Sequence, residues 1–200
     1  MRVAVIDMGR GNLGSVCYAL RRLGAEPVVA SDPDGLSGCR RWILPGVGAA
    51  APAMASLAER GFVPLLREPP VPLLGICLGM QLLFEFSAEG AAPCLGLIPG
   101  RVEPLPSGPG LRIPHMGWNA VQPLIPHPLF AGIDPGRQFY FVHSFAAACG
   151  EATIALCEYG MAFSAAVASG RIAGVQFHPE RSGSAGAKLL RNFLAEATWS

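Results

Sequence analysis

Lysine is almost missing from this chain: of its 15 basic residues only Lys188 is a lysine, and the arginines are scattered rather than clustered. Against 14 acidic residues the formal net charge is +1. A concentrated basic surface of the kind that attracts nucleic acid or anionic lipid is therefore lacking, and neither partner is expected. Long apolar runs are lacking too. The uncharged stretch Pro69 to Phe84 is broken by prolines, glycines and Gln81 and falls short of the roughly 20 apolar residues of a membrane helix. Asp7 follows the first apolar run too soon for a secretory signal, so a cytoplasmic protein is expected. No two cysteines stand in C-x-x-C spacing, and His115, His127, His143 and His178 carry no H-E-x-x-H pattern. Neither a metal nor a cofactor is expected. Five of the six cysteines, all but Cys77, are expected to be small core residues.

What is present is apolar surface to bury. With 200 residues, 51% of them hydrophobic, the chain suits one domain over residues 1–200. Val3 to Ile6 is a short apolar run ending in a glycine-rich turn, and Leu13, Val16, Leu20 and Leu23 follow at helical spacing before Gly24. Further strands are expected at Pro27 to Ala30, Trp42 to Leu44 and Leu73 to Ile76, with helices at Ala49 to Arg60 and Leu78 to Phe86. This alternation predicts an α/β fold whose central sheet is mostly parallel and flanked by helices. Beyond Leu97 the texture changes to short β-rich pieces at Gly100 to Leu105, Gln138 to His143, Ala152 to Cys157, Met161 to Ala166 and Ile172 to Phe177. A mixed or antiparallel extension is expected there, closed by a helix over Ser184 to Ala197.

One cysteine is framed unlike the others. Gly75-Ile76-Cys77-Leu78-Gly79 has the form G-x-C-x-G between a strand and a helix, the setting of a nucleophile elbow. On so tight a turn the neighbours must lack side chains where the chain crowds itself. Partial positive charge at the following helix's first N–H groups would favour the thiolate. Taken alone, a buried cysteine beside packing glycines explains the pattern equally well. A second stretch, Gly174-Val175-Gln176-Phe177-His178-Pro179-Glu180, supplies what a nucleophilic sulfur needs: an imidazole to take its proton and a carboxylate to orient the imidazole. At the carboxyl edge of a parallel sheet the two stretches can meet despite their separation in sequence.

Together "GICLGMQLLF" and "GVQFHPE" resemble the class I, or triad, glutamine amidotransferases. Within them "DMGRGNLGS", "LPGVGA", "PHMGWN" and "FYFVHS" are similar to the glutaminase subunits of imidazole glycerol phosphate synthases. The resemblance implies a flavodoxin-like fold, Cys77 as nucleophile, His178 as base and acid, and Glu180 as its orienting carboxylate. An oxyanion formed on attack needs two donors. One is the N–H of Leu78, after the nucleophile; the second is expected from the Pro45–Gly48 loop, where the resemblance implies the Val47 or Gly48 amide and partner binding as what orients it. Judged alone that loop is also an ordinary strand-to-helix turn. For the glutamine pocket the resemblance implies Gly48, Gln81 and Glu89 with the backbone of His143, Ser144 and Phe145, although Glu89 also reads as a solvated loop acid. Phe145 stands where the family more often has tyrosine, so no hydroxyl contact is expected from it.

The family passes its ammonia through a channel to a (β/α)8-barrel cyclase, which implies an exposed partner face. Asn12, Met116, Trp118, Asn119, Tyr140 and Arg181 are the candidates, with Trp118 as an anchor or, in the plainer reading, a core residue. Arg181 replaces the more usual lysine, which pairs differently with a partner's acid. Rival readings remain. Gly9 to Gly14 satisfies G-x-G-x-x-G after a strand, with Glu26 near the ~20-residue spacing of a ribose-binding acid, the pattern of a dinucleotide site. It leaves the elbow and the H-P-E stretch unexplained. A glutaminase serving another synthase, and a free-standing γ-glutamyl hydrolase, share the triad chemistry but require neither "PHMGWN" nor "FYFVHS".

Overall fold

The computed structural model describes residues 1–9 and 13–195. In chain order its elements are β1 (Arg2–Ile6), α1 (Leu13–Arg22), β2 (Glu26–Ala30), β3 (Arg41–Gly46), α2 (Ala50–Glu59), α3 (Val63–Arg67), β4 (Leu73–Cys77), α4 (Leu78–Gln81), β5 (Phe84–Ser87), β6 (Ala92–Pro93) and β7 (Ile98–Pro104). They continue with β8 (His115–Pro123), β9 (Arg137–His143), β10 (Phe145–Ala147), β11 (Thr153–Glu158), β12 (Ala162–Ser169), β13 (Ile172–Val175) and α5 (Gly183–Leu194). Nine strands form one sheet in the order β2-β1-β3-β4-β13-β12-β11-β8-β9. Its first five strands are parallel and the rest are joined antiparallel, as the change of texture in the sequence leads one to expect. A second sheet, β10-β7-β5-β6, is hydrogen-bonded separately from it.

The period of two along each strand divides the core into two layers. Val3, Val5, Ile43, Leu74 and Ile76 face the layer closed by Val16 and Leu20 of α1 and by Leu189, Leu190 and Phe193 of α5. Ala4, Ile6, Leu44 and Leu73 face the opposite layer, closed by Leu57 of α2, Leu66 of α3 and the second sheet through Phe84, Ile98 and Val102. Each fully buried Leu or Phe contributes about 1.5–3 kcal/mol. The end of α5 is tied down by buried Arg41, whose Nε donates to the Phe193 carbonyl at 3.1 Å and Nη2 to that of Ala195 at 3.0 Å, a cation where the helix presents its carbonyls.

Three expectations change. The helix expected over Leu78 to Phe86 is a single turn ending at Gln81, and Phe84–Ser87 is instead strand β5, paired in parallel with β7. A continuous apolar run carries no period by which to separate helix from strand, and here the second sheet decides. The nine-residue strand β8 has no counterpart among the expected elements, because Met116 and Trp118 occupy its solvent side and hide the alternation. Cys149 is exposed in the loop after β10, whereas Cys17, Cys39, Cys94 and Cys157 are buried as expected. Glu196 and Ala197, the tail of the expected last helix, lie outside the described residues.

The glycines of the elbow act sterically. A Cβ at Gly79 would overlap the Leu44 carbonyl oxygen of the neighbouring strand, and one at Gly75 would stand 2.6 Å from the Gly79 oxygen. Gly79→Ala is expected to destabilise the chain by more than about 3 kcal/mol, since backbone must move. Gly96→Ala, where φ is +70° but nothing lies within 4 Å of the new Cβ, is expected to cost about 1 kcal/mol. Urea unfolding midpoints of the two variants check the contrast.

Candidate active site

Cys77 closes β4 with φ 54° and ψ −111°, a backbone conformation that a non-glycine residue adopts only when its surroundings hold it there. Gly46 pairs with Cys77 across β3 and β4, so the Val47-Gly48 turn leaves its strand beside the sulfur. Gly48 has φ +93° and Val47 is 43% exposed. Leu78 opens α4, and a helix's first N–H groups have no partner within it.

On the other side of β4 from β3, the neighbouring strand β13 leads to Gln176 and His178. His178 Nδ1 lies 2.8 Å from Glu180 Oε1, with both side chains nearly buried. The turn that carries them is held tightly: the His178 N–H donates to the Tyr140 carbonyl at 2.9 Å, and Ser182 Oγ donates to the His178 carbonyl at 2.6 Å while accepting from the Tyr140 N–H at 3.0 Å. Gly186 of α5 packs so closely on Pro179 that a Cβ there would overlap the Pro179 carbonyl. Sequence reasoning did not single out Ser182; only its place two residues beyond the H-P-E stretch pointed to it.

A cavity of about 280 Å³ is lined by Val47, Gly48, Cys77, Leu78, Gln81, Glu89, Pro114, Val142, His143, Ser144, Phe145 and His178. Every residue expected for nucleophile, base, oxyanion donors and glutamine pocket is thus gathered there except Glu180, which backs His178 from a smaller cleft that also holds Val47 and Arg181. The volume, just under the ~300 Å³ at which drug-sized pockets begin, suits a ligand the size of one amino acid. A larger cavity of about 620 Å³ between β7, β11 and β12 contains none of these residues, so chemistry rather than size marks the site.

The imidazoles of this region differ in charge. Burial pushes the His178 ring down, but the Cys77 sulfur and the Glu180 carboxylate outweigh it and carry its pKa up to about 10. Its Nε2 is buried and has no partner of hydrogen-bond geometry among the described residues, yet the Cys77 sulfur is near enough to be the largest of the effects that raise the ring. His143 and His115 are lowered to about 4 by burial. Their tautomers follow from one fixed acceptor. His143 Nδ1 sits 2.8 Å from the Phe145 carbonyl, which only accepts, so His143 Nε2 is bare and takes a proton donor from His115 Nδ1 at 3.0 Å. His115 Nε2 in turn accepts from Asn119 Nδ2 at 3.3 Å, and the same amide donates to the Glu158 carbonyl at 3.0 Å. His115 is also stacked between Tyr159 and Phe141. No pattern in the chain announces this pair, because Val142 and twenty-six other residues separate its members while β8 and β9 place them opposite each other.

Gln81 Nε2 donates to the Phe145 carbonyl at 2.9 Å and to Gln176 Oε1 at 3.0 Å. Burial raises the Glu89 pKa, and the Ala50 N–H at the opening of α2 opposes the rise, so this acid is not simply solvated. Of the residues expected on a partner face, Met116 and Trp118 are 62% and 54% exposed, Tyr140 stacks edge-on against Trp118, and Arg181 is exposed. Asn119 turns its amide inward as described above. Asn12 lies outside the described residues, as do Arg10 and Gly11 of the glycine fingerprint.

Residues 4–197 match the family model described as glutamine amidotransferase class-I. The chain belongs to that family. It is 55% identical over 192 residues to the imidazole glycerol phosphate synthase subunit HisH of Xylella fastidiosa, and 54% identical over 192 residues to that of Xanthomonas axonopodis pv. citri, each alignment covering 96% of both chains. A crystal structure of a glutamine amidotransferase superposes with a TM-score of 0.75 at 24% identity, covering 96% of either chain. PurLQS from Thermotoga maritima superposes with a TM-score of 0.72 at 22% identity, covering 96% of this chain and 97% of that one. These two structures share its fold.

The lowered histidines set a pH dependence. In the unfolded chain each takes up a proton as pH falls through about 6.5, whereas His115 and His143 in the fold wait until about 4. Their contribution to stability is complete above about 6.5 and is lost as pH falls across that window. His178 runs the other way, stabilising below about 6.5 and fading as pH rises toward about 10. The urea midpoint is therefore expected to fall between pH 7 and 4.5, and to fall less steeply in His115→Gln; equal slopes would remove the pair from the acid limb.

Proposed function

We propose that this chain is the glutaminase subunit of an imidazole glycerol phosphate synthase, hydrolysing L-glutamine and delivering ammonia to a (β/α)8-barrel cyclase with which it forms a heterodimer in the cytoplasm. The glutaminase chemistry and the place in histidine biosynthesis follow from relatives 53–55% identical over the whole length. The observation that most supports the catalytic assignment is the 2.8 Å contact of Glu180 with His178, whose ring shares a cavity with the Cys77 sulfur.

The thiolate of Cys77 attacks the side-chain amide carbon of glutamine, forming an S–C bond while the carbonyl electron pair moves to oxygen. The N–H groups of Leu78 and of Val47 or Gly48 receive that oxyanion. His178, cationic in its resting state, gives its Nε2 proton to the departing nitrogen, and ammonia leaves a γ-glutamyl thioester. Water then attacks with His178 as base, glutamate departs and the sulfur is restored. Glu180 accepts from Nδ1–H throughout and keeps the ring in one tautomer. Gln81, Glu89 and the backbone from His143 to Phe145 hold the amino acid portion of the substrate.

Because Val47 is exposed and belongs to a glycine turn, its amide is free to turn until the cyclase seats against it. The lone chain is then a poor glutaminase that gains activity in the complex. Met116 and Trp118, side by side on the solvent face of β8, with Tyr140 and Arg181, form the docking face; Asn12 is included by resemblance and Asn119 braces the strand from within.

In the complex with the cyclase, Cys77→Ala is expected to lower glutamate release at least ~10³-fold while leaving association intact. A rate near that of the unaltered protein would take Cys77 out of the reaction. Trp118→Ala is expected to weaken association about tenfold or more, as a centrally placed aromatic anchor does, with no change in the unfolding midpoint. Titration calorimetry against the cyclase reads this, and an unaltered affinity would move the interface elsewhere.

A further inference from the structure

Resting on the reading of Cys77 as nucleophile, we propose that Gln176 is a positioning residue for it: a buried amide donor that holds the sulfur in its ionised state, itself aimed by Gln81. Gln176 is 0% exposed, and its Nε2 lies 3.7 Å from Cys77 Sγ. Burying a primary amide costs several kcal/mol unless its donors and acceptor are used, so its contacts identify what the amide is for.

Its orientation follows from an acceptor that cannot be reversed. The Phe145 carbonyl takes Gln81 Nε2 at 2.9 Å, which fixes the nitrogen end of Gln81. That same nitrogen stands 3.0 Å from the end of Gln176 that must therefore be oxygen. The opposite end of Gln176, its NH₂, is thereby turned to the sulfur. A backbone carbonyl thus dictates, through two amides, that the sulfur meets a donor.

A donor discriminates between the two states of the sulfur. A thiol is a weak acceptor, and a bond to an ionised acceptor is roughly twice as strong as a neutral one. The thiol has its own partner in the Val142 carbonyl, to which Sγ can donate at 3.8 Å. Ionisation trades that contact for the Gln176 amide and the His178 cation. The helix that follows the elbow is too short to do this work alone, since α4 is a single turn of four residues and carries only a fragment of a macrodipole. Once the sulfur is bonded to carbon its charge is gone and the donor loses most of its hold. The amide regains it when the thioester breaks, so it also favours departure of the sulfur.

The test uses the full chain, with glutaminase assays in the complex with the cyclase, and two variants of similar volume. Gln176→Glu keeps an acceptor for Gln81 but replaces the donor with a charge; Gln176→Met removes the donor without adding one. Alkylation of Cys77 by iodoacetamide is followed by mass spectrometry of its peptide across pH. Both variants are expected to react about tenfold or more slowly at pH 7, with the rate–pH curve displaced to higher pH in the order Met then Glu, and kcat falling while KM for glutamine changes little. Unaltered alkylation curves in Gln176→Met, with only its thermal midpoint lowered, would reduce Gln176 to a packing residue and overturn the proposal. Displacement in Gln176→Glu alone would overturn it too, because the added charge and not the lost donor would then be responsible. Should Gln176→Glu fail to fold, Gln176→Met decides. A Cys77→Ala complex run alongside separates this outcome from failure of the parent reading: only retained glutamate release there would count against the nucleophile itself.

Discussion

The site depends on a backbone conformation that its own residue disfavours. Cys77 sits at φ 54°, and a side chain is tolerated there at a cost of order 1–3 kcal/mol only because the surroundings leave no alternative. Those surroundings are specific. Gly46 pairs with Cys77 from β3, and Gly79 lies so close to the Leu44 carbonyl that the turn has nowhere to relax. Met80 presses back on Gly174 of the other neighbouring strand, where a Cβ would meet its side chain at 2.6 Å. The elbow is thus wedged between both strands that flank β4. The strain is offset by the two core layers, and what it secures is a sulfur lifted off the sheet edge toward His178.

From that sulfur a chain of hydrogen bonds runs outward, each with a fixed direction. Gln176 and Gln81 lead to the Phe145 carbonyl, and from the other side Asn119, His115 and His143 lead to the same oxygen. Every link is directional because the carbonyl at its centre only accepts. The consequence is mechanical as well as electrical: β8 and β9, whose outer faces carry Trp118 and Tyr140, are tied by side chains to the segment that lines the cavity around Cys77. The exposed hairpin and the cavity share one hydrogen-bonded support, so the proposed docking face and the proposed substrate site are built on the same piece of the fold.

The parallel half of the fold was legible in the sequence because its strands are short apolar runs bounded by glycine and its helices keep a clear period. The elbow was legible for a different reason: G-x-C-x-G is a steric statement, and the crowding at Gly75 and Gly79 is what it states. Two kinds of feature were not. Strand β8 turns Met116 and Trp118 to solvent, which inverts the pattern by which a half-buried strand announces itself. Gln176 lay in plain sight within the quoted G-V-Q-F-H-P-E stretch, yet a glutamine has no reactive signature, and its importance rests on an orientation that only Phe145 and Gln81 together determine. His115 and His143 had to await the register of β8 on β9.

Three buried imidazoles within one hairpin and its neighbouring turn show how a single residue type is assigned opposite tasks. All three lose hydration, which alone favours the neutral ring. His178 faces a carboxylate and a sulfur, and these restore the cation against burial. His143 faces a carbonyl and another imidazole, and His115 lies between aromatic rings, so nothing repays their desolvation and both remain neutral. Were His143 to share the charge of His178, two cations would line one small cavity and repel each other. Neutral, His143 adds no charge, only a fixed Nδ1–H that joins Gln81 in holding the Phe145 carbonyl. The carbonyl so held aims Gln81, Gln81 aims Gln176, and His178 is set apart from both, its Nε2 alone among these ring nitrogens having no partner in the described residues.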